Sequence, residues 1–149
     1  MPATISHVLV ALDASARDRE VADVAGRLAT TTGVSLAVVL PRTARVAARL
    51  GSFAAGEDLS PADAAEVYAD QVAEPLRQRG IPTASAAVLA DDAAAAIAAY
   101  ADRHQSAMIL TAGGTRALRR TVAERLARIS PTPLVVVPTQ FHRSTEAVA

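Results

Sequence analysis

Asp13 and Ser15 directly follow the apolar run 7–12, HVLVAL, which puts a carboxylate at the carboxyl end of a strand and a hydroxyl at the entrance to the next helix. A carboxylate in that place can accept a hydrogen bond from a ligand hydroxyl or amine. The same residues can instead serve the helix: Ser15 with Asp18 three positions on forms a capping box with the shorter acid, typically worth about 1 kcal/mol. A second group, Thr111, Ala112, Gly113, Gly114 and Thr115, follows another short apolar run. Paired glycines permit positive φ and let backbone amides approach a phosphate ahead of a helix N-terminus, although they also make ordinary tight turns. Arg116, Arg119 and Arg120 come next, either as guanidinium partners for an anion or as a solvated basic face.

Other chemistry is excluded by residue type. The chain has no cysteine, so it has no disulfide framework, no thiolate nucleophile and no Cys-based zinc site. Every basic residue other than histidine is arginine, which removes the Walker A lysine and the Schiff-base lysine. His7, His104 and His142 are far apart along the chain and make no metal-binding pattern, while His104 suits a helix C-terminus. Neither a nucleophile elbow nor a Ser/His/Asp triad can be traced, so no catalysis is expected. The formal net charge of zero gives no field for nucleic acid or an anionic membrane surface. Strand residues begin almost at once and no apolar run has spanning length, so the expected location is cytoplasmic. Abundant Ala, with Arg in place of Lys, suggests a GC-rich bacterial genome.

The elements that must position these residues alternate regularly. At 149 residues the chain fits one domain, 1–149, burying roughly 70% of its unfolded surface. The run 7–12 predicts a strand buried on both faces. Val21, Val24, Ala25, Leu28 and Ala29 form one helical stripe that ends near Gly33. A second strand over 34–40 is expected to stop at Pro41. An irregular segment over 41–60 follows, in which Arg42, Arg45 and Arg49 would make a solvated stripe if helical. Ser60, Pro61 and Asp63 start a helix running toward Gly80, with a kink or break expected at Pro75. Strands over 83–90, 107–111 and 134–137 alternate with helices carrying Ile97, Tyr100 and Ala101 and then Leu118, Val122, Leu126 and Ile129. The first of these helices is capped by Asp91 or Asp92, and a tail occupies 139–149. Five strands alternating with helices predict an α/β fold, an open parallel sheet covered on both faces, with ligands at the carboxyl ends of its strands.

Three segments, HVLVALDAS, LADDAAAAIAAYADRHQSAMILTAGG and TVAERLARISPTPLVVVP, resemble the universal stress protein family, and the resemblance extends over the core, about 5–138. It implies the adenine nucleotide alpha hydrolase-like fold, with Asp13 at the position that meets the adenine and ribose end of a nucleotide. Nucleotide-binding members carry G-x-x-G, nine residues, then G and Ser or Thr. Lined up on that pattern, Thr111 replaces the first glycine, Gly114 is the second, Arg120 replaces the third and Thr121 supplies the hydroxyl, with only Thr115 to Arg119 between. A loop about four residues short with Arg120 at a glycine position cannot wrap a triphosphate in the same way.

The expectation is therefore a stress-response protein that acts by association, with no cofactor and a reduced nucleotide pocket. Its partners would be an unidentified protein and a second copy joined through the last strand, Leu134 to Val137, which should lie at a sheet edge. The alternative is a regulator that binds ATP or AMP with Asp13, Ser15, Gly113, Gly114, Thr115, Arg116 and Thr121. A flavodoxin-like electron carrier is a third possibility, weakened by the absence of Trp and of a suitably placed Tyr.

Overall fold

In the computed structural model, which describes residues 7–113 and 122–138, the apolar run at the start becomes β1 (His7–Ala11), buried from Val8 onward. It pairs in parallel with β2 (Ser35–Arg42) on one side and with β4 (Met108–Ala112) on the other. The outer strands are β3 (Thr83–Leu89) beside β2 and β5 (Leu134–Val137) beside β4, so the order is β3-β2-β1-β4-β5. Alternate residues of β1 enter two different cores, Val8 and Val10 on one face and Leu9 and Ala11 on the other, which explains why the strand is apolar at successive positions instead of alternating. The order also differs from the flavodoxin winding, in which β1 lies between the second and third strands.

Helices cover both faces. On one side α1 (Asp18–Thr32) and α4 (Pro61–Gln78) pack against Val8, Val10, Leu36, Val38, Leu40 and Leu110. On the other, α5 (Ala93–Arg103) and α6 (Val122–Ile129) meet Leu9, Ala11, Val39 and Ile109 through Ala94, Ile97, Ala101 and Leu126. Each fully buried Leu, Ile or Val contributes about 1.5–3 kcal/mol by leaving water. Ser60 accepts from the Asp63 amide at 3.1 Å with Pro61 at the first helical position, as its sequence predicts. Of the two candidate caps for α5, Asp92 does the capping, accepting from Ala94 and Ala95.

Three sequence expectations are corrected. β2 does not stop at Pro41 but runs through it to Arg42. Val39 accepts from the Leu12 amide, so its polar groups face β1; Pro41, two residues on, faces the same side beyond the end of β1, where its missing N–H leaves no ladder bond unmade. The segment after it is not irregular, because it forms two short helices, α2 (Ala44–Arg49) and α3 (Gly51–Gly56). Thr43 caps α2 by accepting from the Val46 amide at 3.2 Å, and buried Val46 and Leu50 anchor it in the core. Finally, of the kink or break expected at Pro75, the break does not occur, since α4 runs unbroken across it. Pro75 and Gln71, whose carbonyl loses its helical partner, both lie on the exposed face, where water can take the place of the lost bond.

Candidate functional site

The winding direction reverses between β1 and β4, and the residues singled out in the sequence lie at the carboxyl ends of those strands. Arg17 joins the two ends. Its Nη1 donates to the Gly113 carbonyl at 2.9 Å, and its Nη2 lies 3.4 Å from Asp13 Oδ2. Gly113 itself is packed tightly: its amide donates to the Val137 carbonyl at 2.8 Å, and a Cβ there would come within 3.3 Å of Val136 Cγ1. Asp13, Ser15 and Gly113 are thus brought together. Gly114, Thr115, Arg116 and Thr121, like Arg119 and Arg120, lie outside the described residues.

The turn after β1 is built around Asp18. This side chain, 1% exposed, accepts from the Asp13 amide at 3.0 Å, the Ala14 amide at 2.8 Å and the Tyr68 hydroxyl of α4 at 2.8 Å. To aim its amide inward, Ala14 adopts φ 63°, a left-handed conformation that costs a residue with a Cβ on the order of 1 kcal/mol. The expected capping box does not form. Asp18 reaches past Ser15 to the two preceding amides, while Ser15 Oγ accepts from the Arg17 amide at 3.3 Å in a local turn. Asp18 begins α1 with its carboxylate pointing back into the turn, and the N-cap residue Arg17 makes no side-chain capping bond.

Asp13 is held from several sides. Oδ1 accepts from the Ser15 amide at 3.0 Å, and Oδ2 faces Arg17 and also Arg49 Nη1, the latter at 3.3 Å. The same Arg49 nitrogen donates to the Asp13 carbonyl at 2.8 Å. The solvated stripe expected of Arg42, Arg45 and Arg49 is therefore corrected, because Arg42 ends β2 and Arg49 docks on Asp13. Burial pushes the Asp13 carboxyl up, but hydrogen bonding to Ser15 and Asp18 and the Arg49 and Arg17 charges outweigh it, leaving it below the usual carboxylate range. Asp18 responds in the opposite sense. Burial first, then the Asp13 charge, push it up to about 7 despite the bonds from the Asp13 amide and Tyr68. The Tyr68 hydroxyl is pushed above its ordinary value by burial and by Asp18, so it stays a donor.

Asp18, Tyr68, Arg17 and Arg49 are the participants that sequence reasoning missed. Asp18 resembled a first-turn acid, and Tyr68 left one signal, as a rare aromatic on a helix otherwise packed through small aliphatic residues. Elsewhere, His7 Nε2 lies 2.7 Å from Ser106 Oγ and His104 stacks on Tyr100 with ring centroids 4.1 Å apart. Burial, then the nearby His104, lower the His7 pKa. Among the described residues no group of three or more His, Cys, Asp or Glu could hold a metal ion, and no helix is long and apolar enough to cross a membrane.

Comparison with known proteins agrees with this architecture. Solved structures with the same fold include a protein from the universal stress protein family of Burkholderia pseudomallei, 23% identical, covering 93% of this chain and 100% of that one, with a TM-score of 0.68. A universal stress protein in complex with cAMP is 18% identical, covering 89% and 96% of the two chains, with a TM-score of 0.67. One from Archaeoglobus fulgidus in complex with dAMP is 16% identical, covering 89% and 98%, with a TM-score of 0.62. No curated protein matches the chain in sequence. The sequence profile of the universal stress protein family matches residues 4–138, and with it the chain belongs to that family.

Proposed function

We propose that this is a cytoplasmic stress-response regulator that catalyses no reaction and acts by association, pairing with a second copy along β5 and engaging a protein partner. The carrying observation is the outer edge of β5. The strand bonds only to β4 among the described residues, and Val135 and Val136 are 40% and 45% exposed. Successive strand residues point to opposite faces, so the middle of the strand is exposed on both, while Leu134 and Val137 at its ends pack against the two cores; exposed Ile129 of α6 is nearby in sequence. A two-fold axis along that edge would satisfy the free amides and carbonyls while covering the valines. Sedimentation equilibrium tests this. A dimer is expected for the wild type at tens of micromolar, and a monomer for Val136→Arg; a monomeric wild type would overturn the reading.

A second reading, an adenine-nucleotide-responsive regulator, is favoured by Asp13 and Gly113 meeting through Arg17 at the reversal of the winding. It draws further support from the similar structures solved with cAMP and dAMP. Thermal unfolding with and without AMP or ATP, each with Mg²⁺, decides it. Ligand at about 100 times its dissociation constant stabilises by about 2.7 kcal/mol, which raises Tm by several degrees. No shift at millimolar nucleotide would leave the association reading alone.

A further inference from the structure

Asp13 has its acceptors engaged by its own chain, and the donor contributed from farthest away in sequence is Arg49. The helix that carries it is well fixed: Thr43 caps α2, and Val46 and Leu50, on either side of Arg49 in the chain, are each only 5% exposed. From that anchored position Arg49 Nη1 reaches the Asp13 carbonyl at 2.8 Å and Oδ2 at 3.3 Å. The pair is about one-third exposed on each side, which makes the contact open to water and to competing donors.

We infer that Arg49 is an intramolecular occupant of the strand-end site, its guanidinium filling the Asp13 acceptor face that a ligand hydroxyl or amine would take. Arg17 and the Ser15 amide position the carboxylate from the other side, and Arg17 is also committed to the Gly113 carbonyl. Withdrawal of Arg49 would free the Asp13 carbonyl and remove one of the two guanidinium contacts on Oδ2, leaving Arg17 as the other. A neutral ligand must then displace a cation from an anion to bind, so Arg49 sets the threshold for entry and selects against nucleosides. This rests on the second reading above, that the site takes an adenine nucleoside moiety.

Calorimetric titration with adenosine tests it, since adenosine has no phosphate whose contact with Arg49 could be lost. Wild type, Arg49→Ala, and Arg49→Ala combined with Asp13→Ala are compared, with Arg45→Ala as a control on the same helix. Circular dichroism establishes that each is folded. The expected result is an adenosine Kd at least tenfold lower for Arg49→Ala than for wild type, unchanged in Arg45→Ala, with the gain abolished when Asp13 is also removed. Equal binding by wild type and Arg49→Ala would overturn the inference and leave the nucleotide reading standing. Weaker binding by Arg49→Ala would overturn it by making Arg49 a ligand contact. No adenosine binding by any folded variant would overturn the inference, and the melting shifts with AMP and ATP then decide the nucleotide reading separately.

Discussion

The Tyr68 hydroxyl donates to Asp18 Oδ2 at 2.8 Å, tying the middle of α4 to the first residue of α1 across 50 positions of sequence. Through the Asp13 and Ala14 amides, the same carboxylate holds the turn that presents the Asp13 side chain. Asp18 is thus a positioning residue for the candidate site, and its charge state is linked to stability.

Replacing Asp18 with Asn should change how stability depends on pH. The folded protein holds the Asp18 proton up to about pH 7, whereas the unfolded chain releases it near 3.8. The folded state therefore binds more protons between those values, and the Asp18 contribution makes stability fall as pH rises through that window, by on the order of 4 kcal/mol in all. Asp13, with its lowered pKa, acts below that range: its contribution is present above the ordinary carboxylate value and is lost as pH falls through its folded value. His7, also lowered, adds stability as pH rises through its folded value toward 6.5 and is common to both proteins. In urea denaturation at pH 5 to 8, Asp18→Asn should gain on the wild type as pH increases. A constant difference would show that Asp18 does not titrate there.

Tyr68→Phe keeps the ring and removes the donor. A buried carboxylate that loses a hydrogen bond costs about 1–3 kcal/mol, and the loss should be larger at pH 8, where Asp18 is charged, than at pH 5, where it is protonated. Chemical denaturation at the two pH values measures this. Equal losses would uncouple Tyr68 from the charge on Asp18.

Gly26→Ala sets helix propensity against packing. An alanine in the interior of α1 gains about 1 kcal/mol over glycine. Its Cβ, however, would lie 2.9 Å from Leu76 Cδ2 and 2.6 Å from Arg79 Nη1. Arg79 can swing away, but Leu76 is 3% exposed and has little room, so the packing cost should win and lower Tm by a few degrees. Adding Arg79→Ala should recover only part of the loss, and a raised Tm for Gly26→Ala would show that α1 and α4 separate easily at this point.

What the sequence by itself determined is local. The uninterrupted HVLVA of β1, the stripe on α1 and the Ser60–Pro61 start of α4 are periodicities and caps that depend on neighbours along the chain, and all three are present. The alternation of strand and helix implies a parallel sheet, and the segments HVLVALDAS, LADDAAAAIAAYADRHQSAMILTAGG and TVAERLARISPTPLVVVP carry the family resemblance. α2 and α3 escaped notice because six-residue helices are too short to display a period, and α2 owes its existence to Thr43 and to the burial of Val46 and Leu50. Only the tertiary structure decided that Asp18 is a buried hub and that Arg49 reaches Asp13. Local spacing makes Asp18 a helix-start acid and Arg49 one member of a basic stripe. The Tyr68 hydroxyl that meets the first and the Asp13 carboxylate that meets the second arrive from 50 and 36 residues away, brought there by the packing of α4 and α2 against the same face of the sheet.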